Sequence, residues 1–166
     1  MRTGIVVIDL CKGYIDACNI TQEDFTNFLI DLNYFLHEQA KSTIFFVHDH
    51  VGNIESFEKV TSSHYGLRAE QEAQRLMEFA GDRFLIPKDN WDAFSSSNTG
   101  FLFSGVGIEE VLLCGLYTEM CILHSAQGAQ KMGFKPKVVR NLIISEEGKI
   151  GIPNVMENYF KSITII

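Results

Sequence analysis

The chain has 166 residues, of which 46% are hydrophobic and 21% charged, the ordinary balance of a soluble globular protein long enough to bury a full core. A net charge of −7, with 14 basic residues that show no marked clustering, argues against a nucleic-acid surface, and no apolar run reaches the ~18–20 residues of a membrane span. Cys11, Cys18, Cys114 and Cys121 form no C-x-x-C pair and no zinc-finger spacing. The N-terminus lacks the basic and apolar regions of a signal peptide, so reduced thiols in a cytoplasmic protein are expected. No repeat, low-complexity tract or linker divides the chain, and residues 1–166 are expected to form one domain.

Ile5-Val6-Val7-Ile8-Asp9 is a continuous apolar run ending in a carboxylate. Runs apolar on both faces belong in central parallel strands, and ligands gather beyond the carboxyl ends of such strands. Asp9 therefore reads as a chemical group placed at a site, or as a cap for the turn that follows. Residues 22–41 carry Phe25, Phe28, Leu29, Leu32, Phe35 and Leu36 at helical spacing, with Thr21 before them as cap. Thr43 to Val47 is a second buried strand that runs directly into His48-Asp49-His50. Residues 51–66 have no clear period and read as a functional loop containing His64. A polar helix follows over about 67–80, ending at Gly81. Phe84-Leu85-Ile86 is a short third strand that delivers Lys88 just past its end, and residues 98–103 predict a short helix.

Val111 to Gly115 is a fourth buried strand, and Met120, Ile122, Leu123, Ala126 and Ala129 then repeat at helical spacing until Gly133. Between strand and helix lies a tight turn, with Thr118 as predicted N-cap and Cys121 in the first helical turn. A cysteine there sits over unpaired backbone N–H groups at the positive end of the helix dipole. That setting favours thiolate over thiol and could later receive an oxyanion. Cys121 reads as a nucleophile on an elbow, or as plain packing beside a strand. Lys137 to Val139 is a fifth strand, residues 152–161 a last helix and residues 163–166 a closing strand. Alternating strands and helices imply right-handed crossovers and a three-layer α/β/α fold around a mostly parallel sheet of about six strands.

Three strand ends thus present Asp9, Lys88 and Cys121 on one edge of the sheet. These are the parts of a covalent mechanism, in which a thiolate attacks a carbonyl, a carboxylate shuttles the proton and an ammonium holds the anionic partners. His124, three residues after Cys121, is a second candidate base or a structural histidine. Tyr14, Trp91 and Tyr117 read as stacking walls of an aromatic substrate pocket, or as ordinary core.

The chain resembles the isochorismatase-like cysteine hydrolases, and among them the nicotinamidases, over nearly its whole length. The resemblance is carried by Val7-Ile8-Asp9 with Tyr14 five residues on, by Lys88 ahead of Asp92-Ala93-Phe94-Ser95, and by Gly115-Leu116-Tyr117-Thr118-Glu119-Met120-Cys121 with Ala126 and Gly133-Phe134 beyond it. The last stretch is similar to the signature G-V-x-T-x-x-C. The resemblance implies a triad of Asp9, Lys88 and Cys121. It also implies a cis peptide between Leu116 and Tyr117, with the N–H groups of Tyr117 and Cys121 turned towards the substrate oxygen. It implies one divalent metal and no organic cofactor. Asp49 and His64 match family ligands; His50 stands one residue early for D-x-H and His48 precedes the aspartate, so either completes the set. A carboxylate with two imidazoles suits zinc, iron or manganese. The family's Pro-Pro-His-Cys and Gly-Thr segment is replaced by Ser62-Ser63-His64-Tyr65-Gly66.

The expected activity is cysteine-dependent hydrolysis of a small amide to a carboxylic acid and ammonia, nicotinamidase-like, through a thioester at Cys121. An isochorismate-type vinyl ether, an N-carbamoyl compound or a ureide is the alternative substrate, and a protein that only binds a ligand is the alternative class. The expected partner is the small substrate, without nucleic acid or membrane, in a homo-oligomer as the resemblance implies.

Overall fold

In the computed structural model, which describes residues 1–48, 65–79, 83–88 and 90–166, the first apolar run forms β1, Arg2–Ile8. Its side chains alternate between two cores, Ile5 and Val7 on one face, Val6 and Ile8 on the other. β2, Thr43–His48, repeats the division with Ile44 and Phe46 against Phe45 and Val47. β4, Ile108–Leu116, does the same with Leu112, Cys114 and Leu116 against Val111 and Leu113. Residues apolar on both faces need cover on both, and the helices between the strands supply it.

The remaining strands are β3, Arg83–Pro87, β5, Lys135–Ile144, and β6, Thr164–Ile165. All pairs are parallel and the order is β3-β2-β1-β4-β5-β6, as expected for a parallel sheet of about six strands. One layer holds α1, Lys12–Ala17, α2, Gln22–Glu38, and α3, Leu67–Glu78. The other holds α4, Ser97–Gly105, α5, Leu123–Lys131, and a 3-10 segment, Asn154–Phe160. The chain builds outwards from β1 to β3, returns beside β1 as β4, and builds outwards the other way. The switch in direction opens a crevice at the carboxyl ends of β1 and β4, where such sheets place their ligands.

Several boundaries differ from the sequence reading for local physical reasons. Thr21 caps α2 as expected, its hydroxyl accepting from the Asp24 N–H at 3.1 Å, but the helix stops at Glu38. The short α1 has no side-chain cap and buries only Ile15, so it leaves no periodic signal. The expected last helix is a 3-10 segment, and the fifth strand is far longer than its apolar centre. No described helix is long and apolar enough to cross a membrane.

Candidate active site

Asp9 follows directly on β1 in a left-handed conformation, φ 51°, rare for a residue with a side chain. Its N–H still donates to the Val47 carbonyl at 3.0 Å, so the backbone is held in the sheet while the side chain is re-aimed. Such conformations cost of order 1–3 kcal/mol and persist where the surroundings impose them. Gly115 makes the neighbouring approach possible. At φ +108°, a Cβ on it would stand 2.1 Å from the Ile8 carbonyl oxygen, so only glycine lets the end of β4 close on the end of β1.

Lys88 lies beyond β3, two strands away from β1 and so about 10 Å from it at the backbone. Only a long side chain spans that gap. Its ammonium is 2.9 Å from Asp9 Oδ2, donates to the Asn90 carbonyl at 3.0 Å, and lies 3.5 Å from Cys121 Sγ. Each of these three groups can accept from one of the ammonium's donors. Asp9 and Lys88 are each 2% exposed and Cys121 is 7% exposed, so the three groups meet almost out of water.

Cys121 stands in a single π-helical turn, Thr118–Ile122, that leads into α5. Two corrections to the sequence reading follow from this geometry. Thr118 does not cap the turn; its hydroxyl donates to the Gly151 carbonyl at 3.0 Å and ties the elbow to the loop after β5. The surroundings of the sulfur also oppose the thiolate that a helix start alone would favour. Burial, the charge of Asp9 and a hydrogen bond to that carboxylate outweigh Lys88 and push the Cys121 thiol up to about 12. The proton therefore stays on sulfur, held towards a carboxylate that can take it.

The Leu116–Tyr117 peptide is cis. Tyr14 and Tyr117 pack edge to face at 6.0 Å, and the Tyr117 hydroxyl donates to the Tyr14 carbonyl. Trp91 instead faces His124, ring centres 5.3 Å apart, so His124 is engaged with an aromatic ring beyond the triad. Asp49, His50 and His64 lie outside the described residues, as does any side-chain geometry of His48. Among the described residues no group of three metal-capable side chains converges.

Two supporting residues escaped the sequence reading. Ser125, fully buried on α5, accepts from the Ala93 N–H at 2.9 Å and donates to the Trp91 carbonyl at 3.3 Å, clamping the segment after Lys88 to the helix that bears Cys121. Tyr65 donates to the Ile15 carbonyl at 3.0 Å and anchors α1 beside the site. Ser125 is four residues after Cys121, a spacing that puts both on one helical face, and that was its only sequence signal.

A parallel sheet with Asp9, Lys88 and Cys121 brought together at its switch point defines an α/β protein with its candidate site at the strand ends. Residues 3–147 match the isochorismatase domain, and the chain belongs to the isochorismatase-like hydrolase family. No curated protein sequence matches the chain. Among solved structures, it is similar to a pyrazinamidase/nicotinamidase from Streptococcus mutans at 18% identity and TM-score 0.68, covering 99% of this chain and 100% of that one. A pyrazinamidase of Pyrococcus horikoshii in complex with zinc aligns at 18% identity and TM-score 0.69, over 100% and 99% of the two chains. An N-carbamoylsarcosine amidase from Thermoplasma acidophilum aligns at 16% identity and TM-score 0.66, over 99% and 95%. At these identities the likeness is one of fold.

Proposed function

We propose that the protein hydrolyses a small-molecule amide through a thioester at Cys121, with nicotinamide the first substrate to try. The observation that carries the reading is the Lys88 ammonium, 2.9 Å from Asp9 and 3.5 Å from Cys121, with all three residues buried. Asp9 takes the thiol proton as sulfur attacks the carbonyl carbon, and the N–H groups of Tyr117 and Cys121 receive the oxyanion. Asp9 then gives that proton to the departing nitrogen, and ammonia leaves as the thioester forms. Water, deprotonated by Asp9, attacks the thioester and releases the acid, returning the proton to sulfur. Lys88 keeps the carboxylate ionised and steadies each anionic partner in turn.

Ammonia release from a panel of amides that includes nicotinamide, an N-carbamoyl amino acid and a ureide tests the reading. Turnover of one of them is expected, falling by about 10²–10⁴-fold in Asp9→Asn, the range lost with a general base. A panel without turnover would leave a binding protein. Preference for the N-carbamoyl compound would choose the second substrate class.

A divalent metal, zinc, iron or manganese, belongs to the same proposal on the donor chemistry of Asp49, His64 and either His50 or His48. Bound, it would hold a substrate nitrogen or oxygen at an open position. Elemental analysis of protein purified without chelator should find one metal per chain, lost in His64→Ala. Metal-free protein that keeps its full activity in EDTA would remove the metal from the proposal.

A further inference from the structure

The segment that follows Lys88 also builds a second concavity. Asn90, Trp91 and Asp92 run along α5 and, with His124, line an open cavity of about 400 Å³. Its walls are set by hydrogen bonds. The Asp92 N–H donates to Asn90 Oδ1 at 2.8 Å, and the Phe94 N–H donates to Asp92 Oδ1 at 2.8 Å. Lys88 holds the Asn90 carbonyl and Ser125 holds the Trp91 carbonyl, so both anchors are buried groups.

Two features of these walls bear on what the cleft could hold. Trp91 is 52% exposed, and its ring and that of His124 form a wedge of 38°. A large aromatic left half in water beside a second ring is a recognition surface more than a core position. Asp92, in turn, is drawn against α5 where the helix carries Gly128. A Cβ there would stand 2.1 Å from Asp92 Oδ1. Burial pushes the Asp92 carboxyl up, opposed by the Phe94 N–H and by the charges of Lys131, His124 and Lys88. Among the described residues, none of those cations comes within ion-pair distance of it.

We infer that the cleft of Trp91, His124, Asp92 and Asn90 is a recognition site for a planar organic cation, an amidinium or guanidinium group. Such a group stacks its flat face on the rings, gains from the π-electron density of Trp91, and gives N–H donors to a partly desolvated carboxylate. An anion would meet Asp92 head on, and a neutral apolar group would offer that carboxylate no donor beyond the Phe94 N–H it already has. The net charge of −7 favours the same sign of ligand at longer range. The binding site does not rest on the amidase reading.

Trp91 is the one tryptophan in the chain, so its emission reports on this cleft without a label. Titration with benzamidine should give a saturable change in that emission. Neutral benzamide, of nearly the same shape, should bind at least about tenfold more weakly, the difference a desolvated cation–π contact and a carboxylate partner together supply. The preference should vanish in Asp92→Asn, which retains the acceptor for the Phe94 N–H, and should persist in Cys121→Ala. Equal affinity for the two probes, an unchanged emission, or an undiminished preference in Asp92→Asn would overturn the site. Benzamidine preference in a protein that hydrolyses no amide supports the site and counts against the amidase reading alone.

Discussion

Replacing Cys121 with alanine should lower amide hydrolysis by on the order of 10³-fold or more, because among the described residues it is the nucleophile held beside Lys88 and Asp9. Cys11, Cys18 and Cys114 are buried as well, but it is the Cys121 sulfur that lies 3.5 Å from the Lys88 ammonium. Steady-state ammonia release measures the loss, and intact mass after rapid quenching should show the acyl adduct on the parent protein only. An alanine variant with more than about a tenth of parent activity would end the covalent reading, since a nucleophile's loss is never so mild. The protonation state adds a pH signature. The thiol is pushed up to about 12, above its ordinary value of 9.0, so a rising pH does not load the site with thiolate across the neutral range. The rate should therefore show no rise centred near pH 9, and iodoacetamide at neutral pH should label Cys121 no faster than an exposed thiol. A steep gain of activity through pH 8–9 would mean that free thiolate, not transfer to Asp9, limits the reaction.

Lys88→Met should cost about 3–5 kcal/mol of stability as well as activity, the loss found when one partner of a buried ion pair is removed. Lys88 and Asp9 have side chains only 1% and 3% exposed, so the carboxylate left behind has no water to turn to. Against a total stability of about 5–15 kcal/mol, this is enough to bring a marginal protein near unfolding. Urea denaturation of the parent, Lys88→Met, and Lys88→Met combined with Asp9→Asn separates the causes. The double variant should recover part of the loss, because no uncompensated charge remains buried. A single variant less than about 1 kcal/mol weaker, the range of an exposed pair, would show that Asp9 does not depend on Lys88 for its charge.

The strands and the edge on which the reactive groups stand were legible in the sequence. Ile5 to Ile8, Ile44 to Val47 and Val111 to Gly115 are apolar without interruption, the composition that a strand with two buried faces calls for. Asp9, Lys88 and Cys121 each follow such a run, so parallel pairing brings them to one edge whatever the loops do. The Gly115 to Cys121 stretch carried the family, since its spacing is local and survives in the chain itself. What touches what across the fold was decided only by tertiary structure. That Lys88 reaches over β2 to both Asp9 and Cys121 depends on strand order, which no local pattern records. Thr118 abandons its expected cap because the Gly151 carbonyl arrives beside it from far along the chain. Trp91 turns to His124 while Tyr14 turns to Tyr117, since each ring packs on what the layers bring near. The thiol of Cys121 shows the difference most plainly. A helix start read by itself favours the thiolate; burial and the Asp9 charge, which exist only once the sheet has closed around the sulfur, hold the proton in place.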